Sequence, residues 1–308
     1  MAARARAVGY LAKRTSAATK TDTPLIDTPQ SVSVVTKEQI RDQSFQSVGD
    51  VVRYVPGVIP HQGEGNRDDV VIRGQRSNAD FFVNGVRDDV QYFRDLYNIK
   101  QIEVLKGPNA MIFGRGGGGG VINRVLKGAD GLPVREVTFQ GGHIHRYGVN
   151  PVIAFRPSDS TKVELSYEHF HDDRTAERGI PSQFGRPYNY RANTSTFFGN
   201  PDLNQARVDA NIATATVEHE TDAGLKIKSQ LRYADYDKFY QNSFPGGAVN
   251  AAGTSVNLSA YNNTTNRENL FSQNDFTYKF ETGFMKHTLL AGFELGQQTG
   301  LSYRQSGF

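Results

Sequence analysis

Two segments of this sequence interleave aromatic rings with arginine. Arg87, Asp88, Tyr92, Phe93, Arg94 and Tyr97 follow an Asn84-Gly85 turn, and His61, Glu64, Asn66 and Arg67 lie in a polar, glycine-containing loop between Pro60 and Val70. Such a mixture suits an anionic, flat-ringed ligand. Arginine supplies charge and a stacking plane, and tyrosine supplies a donor and a ring face. The competing reading is that Tyr92 and Phe93 are core residues of a small domain, because aromatic side chains are commonly buried. His169 and His171, followed by Asp172 and Asp173, could begin a metal site. The spacing defines no third and fourth ligand, so a strand end entering a loop accounts for them better, and no metal site is expected. The glycine-rich run 114–120 invites a phosphate-loop reading. That chemistry needs Gly-Lys-Ser/Thr opening a helix, or a strand before and a helix after. Here strand-like Val121-Ile122-Asn123 follows, so a tight backbone passage that only glycine can make is expected. No Ser/His/Asp or paired-carboxylate arrangement stands out, and there is no cysteine for a thiolate nucleophile or metal ligand. The chain is not expected to be an enzyme.

The elements that must position these residues fall into two textures. Residues 21–132 read as short mixed elements. Residues 31–36 alternate into a strand, 37–42 and 47–54 are helical, and the second helix stops at Pro56-Gly57. Residues 70–73 and 81–83 are short strands, the latter turning at Asn84-Gly85, a strong hairpin dipeptide. Residues 101–106 and 121–126 complete an α+β domain of common size. Residues 1–20 carry Arg4, Arg6, Lys13, Arg14 and Lys20 with no acid. They are expected to be a mobile basic lead-in, since their apolar stretch is too short for an export signal.

Residues 133–308 change to long alternating strands. Val163, Leu165 and Tyr167 oppose Lys162, Glu164, Ser166 and Glu168; Leu225, Ile227, Leu231 and Tyr233 oppose Lys226, Lys228, Gln230 and Arg232. Tight turns at 157–160, 221–224 and 281–284 alternate with connections of about 30 residues at 172–205 and 237–266, a length usually functional or disordered. A soluble antiparallel sandwich also alternates. Three details favour a membrane β-barrel. The turns alternate short and long. Tyr167, Phe170, Tyr233, Tyr236, Tyr278 and Phe280 sit near strand ends, where interfacial girdles belong. The charged faces suit a watery lumen. No apolar run reaches the roughly 18 residues of a membrane helix. The 35 basic and 32 acidic residues leave a net charge of +3 in 308 residues, too little to imply nucleic acid.

The first domain resembles the plug of TonB-dependent outer-membrane receptors. The resemblance is carried by DTPQSVSVVT (27–36), DVVRYVPGV (50–58), VVIRGQ (70–75), FFVNGVRDD (81–89) and YFRDLYNIKQIEVLKGPNAMIFGRGGGGGVIN (92–123). It extends to the siderophore-receptor branch, where 167–188 and 237–249 look like loops of catecholate-type receptors. The implied fold is an α+β plug followed by an incomplete antiparallel transmembrane β-barrel of about seven strands, against about 22 in plugged transporters. That shortfall of strands before Phe308 makes an N-terminal fragment the expectation; in addition, no TonB box is visible before Asp27 and no export signal is visible.

The implied function is TonB-dependent import of ferric siderophores in the Gram-negative outer membrane. Its partners would be the ferric siderophore, the TonB complex and outer-membrane lipid, with no cofactor beyond iron carried in the ligand. A same-fold receptor for haem, cobalamin or an oligosaccharide is the first alternative; a soluble adhesion or enzyme module is the second. The expected ligand contacts are His61, Asn66, Tyr92, Phe93 and Arg94 from the plug. Tyr188, Tyr190, Tyr240 and Phe244 would join them from the long loops. The resemblance also implies that Arg73 and Lys106 lock the plug to glutamates of the wall in strands after Phe308.

Overall fold

A computed structural model of the chain describes residues 9–15, 19–21, 23–77, 79–107, 112–114, 118–129, 145–188 and 195–307. Two short strands, β1 (Arg14–Thr15) and β2 (Thr23–Pro24), precede β3 (Val32–Thr36) and two helices, α1 (Lys37–Asp42) and α2 (Val48–Val52). Thr36 caps α1 by accepting the Gln39 N–H. Ser47 and Asp50 form a reciprocal capping box on α2, which satisfies two donors a helix start leaves free. Then come β4 (Val58–Pro60), β5 (Val70–Ile72), β6 (Gln75–Ser77), β7 (Phe81–Val83), β8 (Val86–Arg87), β9 (Ile99–Lys106) and β10 (Gly120–Leu126). One sheet runs β3-β9-β10-β7-β8, and β4-β5-β6 form another.

Central strand β9 is buried on both faces. Ile102 and Val104 join Val48, Val51 and Val52 of α2 in the main core. On the other face Leu105 packs with Phe82, Phe113 and Val121. Glu103, on that same face, is fully buried. It accepts hydrogen bonds from Thr15 Oγ1, Gln101 Nε2 (2.6 Å) and Asn123 Nδ2 (3.2 Å). This corrects the expectation of a mobile lead-in over 1–20 for its described part. Residues 9–15 lie on the plug, with the Gly9 carbonyl accepting from Thr36. Lys20 bonds Asp275 at 3.1 Å. A buried carboxylate needs partners, and the lead-in supplies one.

The glycine run behaves as a backbone passage where it is described. Gly120 has φ +149, and a Cβ there would overlap the Leu105 carbonyl. Residues 115–117, and the expected domain boundary at 132/133, lie outside the described residues.

The second part is one antiparallel sheet: β11 (His145–Val149), β12 (Val152–Ser158), β13 (Thr161–Arg174), then β14 (Ser182–Gln183) and β15 (Arg186–Pro187) as a small hairpin within a loop, then β16 (Gln205–Glu220), β17 (Leu225–Pro245), β18 (Leu258–Thr282) and β19 (Met285–Gly307). The lateral order is β11-β13-β16-β17-β18-β19, with β12 also on β13. Strands β11 and β12 share the edge of β13, separated at Asn150-Pro151. No pairing joins β19 to β11 or β12 among the described residues, so the wall is partial and not closed. Connections 175–204 and 246–257 lie on the opposite side from the tight turns. The second is shorter than expected, because β17 runs on to Pro245 and β18 resumes at Leu258.

The alternation is inverted relative to a soluble sheet. Leu165, Leu231, Leu270, Phe293 and Leu295 are exposed, while Gln230, Arg232, Asn269 and Gln273 are buried against the plug. The apolar face ends sharply. Tyr167, Ala213, Tyr233 and Leu270 are register partners across β13, β16, β17 and β18, and the next outward row is His169, Asn211, Asp235 and Glu268. Leu225 to Tyr233 is nine residues, about 26 Å of strand at ~3.3 Å per residue, at the lower end of the length of a tilted membrane-spanning strand. Tyr167, Tyr233, Tyr278 and Phe280 face outward as a girdle would; Phe170 and Tyr236 do not. Opposite strand parity turns both onto the plug.

Candidate ligand site at the plug apex

Above the apolar band, the plug loop after β4 meets β17 and β18. Gly63-Glu64-Gly65 makes a tight passage in which Glu64 itself has φ 56. A Cβ on Gly65 would overlap the Glu177 carbonyl of the 175–204 connection, so only glycine allows this approach. Tyr240 donates its hydroxyl to the Glu64 carbonyl at 2.7 Å, and Tyr261 donates to the Glu64 carboxylate at 2.7 Å. Arg67 bonds the same carboxylate at 2.8 Å, and Arg178 lies 3.9 Å from its other oxygen. The guanidinium of Arg178 stacks 3.9 Å above the Phe244 ring, and that of Arg304 stacks 3.9 Å above Tyr261. Burial raises the Glu64 pKa, but these bonds and charges outweigh it and hold it at about 2. The cluster therefore presents cations, phenols and ring faces together.

The expected contacts divide. Tyr240 and Phe244 belong to this cluster. Asn66 is buried and accepts from Lys238 Nζ at 2.9 Å. His61 is half exposed and lies 3.2 Å from Asp69. Phe93 carries Arg174 4.6 Å above its ring and lines a small cleft with Asn66, Tyr92 and Lys238. Tyr188 ties one connection to the other through the Gly253 carbonyl at 2.8 Å. Tyr190 lies outside the described residues.

Arg94 lies inside the plug, apart from the apex cluster. Its side chain is fully buried and its donors are taken by Asp88 (3.0 Å), the Tyr92 carbonyl, and the carbonyls of Asp88 and Val90 (2.6 Å each). Tyr92 is also buried, 3.3 Å from Asp88. These residues knot the plug.

Asp88 is the centre of that knot. Arg124 reaches it at 2.7 Å, Tyr236 of the wall donates to it at 2.7 Å, and Arg232 of the wall stands 3.8 Å away. Burial pushes its pKa up, but the charges of Arg94, Arg124 and Arg232 hold it well below the usual carboxylate range. Around it, Asp89 bonds Arg267 at 3.1 Å, Asp95 bonds Arg146 at 2.9 Å, and Tyr97 donates to Glu168 at 3.2 Å. All join plug to wall through polar contacts. By contrast, Lys106 gives its ammonium to Ser33 and the Pro56 carbonyl, both of the plug, at 3.1 Å. Arg73 is exposed, with φ 49. His169 and His171 bond Asn211 and Asp209 of β16.

Sequence reasoning missed Arg178, Tyr261, Arg304 and Lys238 as apex residues, and Arg232 and Tyr236 as plug contacts. The signal available was strand parity: Arg232 and Tyr236 share the inward face of β17 with Lys238 and Tyr240.

A mixed α+β domain seated against a sheet that is apolar outside and polar inside has the layout of a plug with part of a β-barrel wall. Residues 24–121 match the TonB-dependent Receptor Plug Domain family. The chain as a whole is similar to proteins named as siderophore receptors. It is 28% identical to the probable TonB-dependent siderophore receptor PiuA of Acinetobacter baumannii, over 92% of this chain and 44% of the relative. It is 26% identical to the catecholate siderophore receptor Fiu of Escherichia coli K12, over 95% of this chain and 47% of the relative. The ferrioxamine B receptor of Salmonella typhimurium is also 26% identical, over 91% and 47%. The crystal structure of PiuA superimposes with a TM-score of 0.82 at 25% identity, covering 96% of this chain and 49% of that one. The chain spans about half the length of the curated relatives it matches. These relatives are receptors by name, not enzymes.

Proposed function

We propose that the protein imports ferric siderophores across the Gram-negative outer membrane, driven by the TonB complex and without chemistry on the ligand. The single observation that carries this reading is the apex cluster. Aromatic rings and arginines converge between a plug loop and wall strands, beyond the apolar band. Tyr240 stands seven residues past Tyr233 on β17, or about 23 Å along the strand. A ferric catecholate is anionic and flat-ringed, so it gains from guanidinium charge and from stacking at once. That favours the catecholate type named for Fiu, and Tyr240, Phe244, Phe93, Asn66 and His61 are its proposed contacts.

Release inward requires the plug to leave the wall. Many of the contacts that hold it are hydrogen bonds and ion pairs, which water can replace as the plug moves; one apolar cluster, Val90 and Tyr92 against Phe170, Val208 and Ile212, must also be parted. Arg73 and Lys106 are proposed as a further lock toward wall glutamates.

The test is radioiron uptake from a ferric tris-catecholamide by cells lacking other siderophore receptors and expressing the full gene product. Uptake that requires TonB is expected. No uptake, or uptake unchanged when TonB is deleted, overturns the reading.

A further inference from the structure

Glu64 is the residue at the apex whose chemistry the ligand reading leaves unused. An anionic ligand should be repelled by a carboxylate, yet this one sits where the donors converge. It occupies a left-handed backbone position, φ 56, between two glycines. Non-glycine residues there carry backbone strain, which persists only when surrounding contacts hold it. What holds it is the Tyr240 hydroxyl on its carbonyl and three donors on its carboxylate: Tyr261 and Arg67 through hydrogen bonds, and Arg178 at 3.9 Å. Two of those donors, Tyr261 and Arg178, come from the wall side and are themselves stacked with Arg304 and Phe244. The Gln62 side chain reaches the Arg178 carbonyl, so the plug loop and the 175–178 segment are fastened together beside the carboxylate.

We propose that Glu64 is a tethered stand-in for the anionic group of the ligand. Its carboxylate fills an anion-receiving site made by Arg178 and Tyr261, and a bound ligand's ionised oxygens take its place. This rests on the import reading and names the specificity determinants within it. Arg178 and Tyr261 select for negative charge, and Glu64 sets the threshold a ligand must exceed. Exchange has a second consequence. The Tyr261–Glu64 bond is a plug-to-wall tie, so an anion that takes Tyr261 also frees the 61–69 loop from β18. Binding outside is thereby coupled to loosening of the plug at the same residue.

The size of the effect follows from occupancy. If the carboxylate holds the donors nine-tenths of the time, apparent affinity for a competing anion falls about tenfold, because only the open fraction binds. Removing the charge while keeping shape and backbone should restore that factor.

The experiment uses the full gene product in outer-membrane vesicles and three probes: a trianionic ferric tris-catecholamide, a neutral ferric trihydroxamate, and an iron-free aromatic disulfonate. Glu64→Gln is expected to bind both anionic probes about tenfold more tightly than the wild type and to leave the neutral complex unchanged. Arg178→Ala and Tyr261→Phe are expected to weaken both anionic probes. If Glu64→Gln binds the ferric tris-catecholamide no more tightly than the wild type, Glu64 is only a structural tie and the proposal fails while the import reading stands. If no ferric complex binds but the disulfonate tightens in Glu64→Gln, the anion site stands and the import reading fails. If the disulfonate is bound by neither protein, the anion site itself is refuted.

Discussion

Tyr236 of the wall donates its hydroxyl to Oδ1 of Asp88 in the plug at 2.7 Å, and both residues are fully buried. The pair lies 148 positions apart in the chain, and it joins the most heavily used carboxylate of the plug to β17. Three guanidiniums converge on that carboxylate, two from the plug and one from the wall.

Asp88→Asn is therefore expected to be strongly destabilising. Removing one member of a buried charge network leaves the others uncompensated, at a cost of about 3–5 kcal/mol. Tyr236→Phe loses one hydrogen bond to a charged group, about 1.5–3 kcal/mol. Thermal unfolding in detergent measures both; a change under ~0.5 kcal/mol for Asp88→Asn would remove the network from the account. The pH dependence has a definite sign. The folded Asp88 pKa is depressed, so its stabilisation is present above the unfolded value near ~3.9 and is lost as pH falls below it.

Much of this architecture was legible in the sequence, for physical reasons. Helix α1 was read at its observed bounds from the helical composition of 37–42 alone. The outward faces of β13 and β17 were legible because strand parity has only two values. The roles of Tyr92 and Arg94 were not. Their residue types suit a ligand and a buried knot equally, and the knot depends on Asp88, Arg124 and Arg232, which only the tertiary fold brings together. The docked lead-in was hidden likewise. Nothing near Thr15 announces Glu103, which lies 88 residues away.

Glu103 provides a pH effect of opposite sign. Burial raises its pKa, and the hydrogen bonds from Thr15, Asn123 and Gln101 offset this only in part. An acid whose folded pKa lies above its unfolded value binds more protons when folded, so its contribution to stability declines as pH rises from about 4.3 toward the folded value. Glu103→Gln should abolish that decline and be neutral or stabilising at pH 7. Glu103→Ala should cost about 1–3 kcal/mol, because Asn123 and Gln101 lose their acceptor. A Gln variant less stable than the Ala variant at pH 7 would contradict this.

Leu231 is half exposed, yet it should not tolerate charge, because it faces lipid within the apolar band. Leu231→Arg, one outward row inside the edge of the band, is expected to cost about 1–2 kcal/mol of stability in lipid, between the midplane and interface values. Refolding into vesicles, titrated with urea, measures it. A soluble sheet would accept arginine at such a surface position within ~0.5 kcal/mol, and that result would remove the membrane wall.

Gly65→Ala should open the seam between the plug loop and the 175–204 connection, because the new Cβ would overlap the Glu177 carbonyl at a backbone φ of +72. The main core around α2 and β9 is remote from it. Faster proteolysis of the connection with an unchanged melting temperature for the plug is expected; unchanged proteolysis would show that the seam is loose already.

The central claim, that the apex cluster receives a ferric catecholate, is tested most directly by the Kd of a ferric tris-catecholamide for the full gene product in outer-membrane vesicles. Phe244→Ala and Arg178→Ala are compared with Lys162→Ala, whose ammonium pairs with Glu164 near the tight turns. Loss of one aromatic or arginine anchor costs about 2 kcal/mol, or roughly thirtyfold in affinity. The account expects that loss in the first two variants and wild-type affinity in the third. Equal affinity in all three, with folding intact, would contradict it.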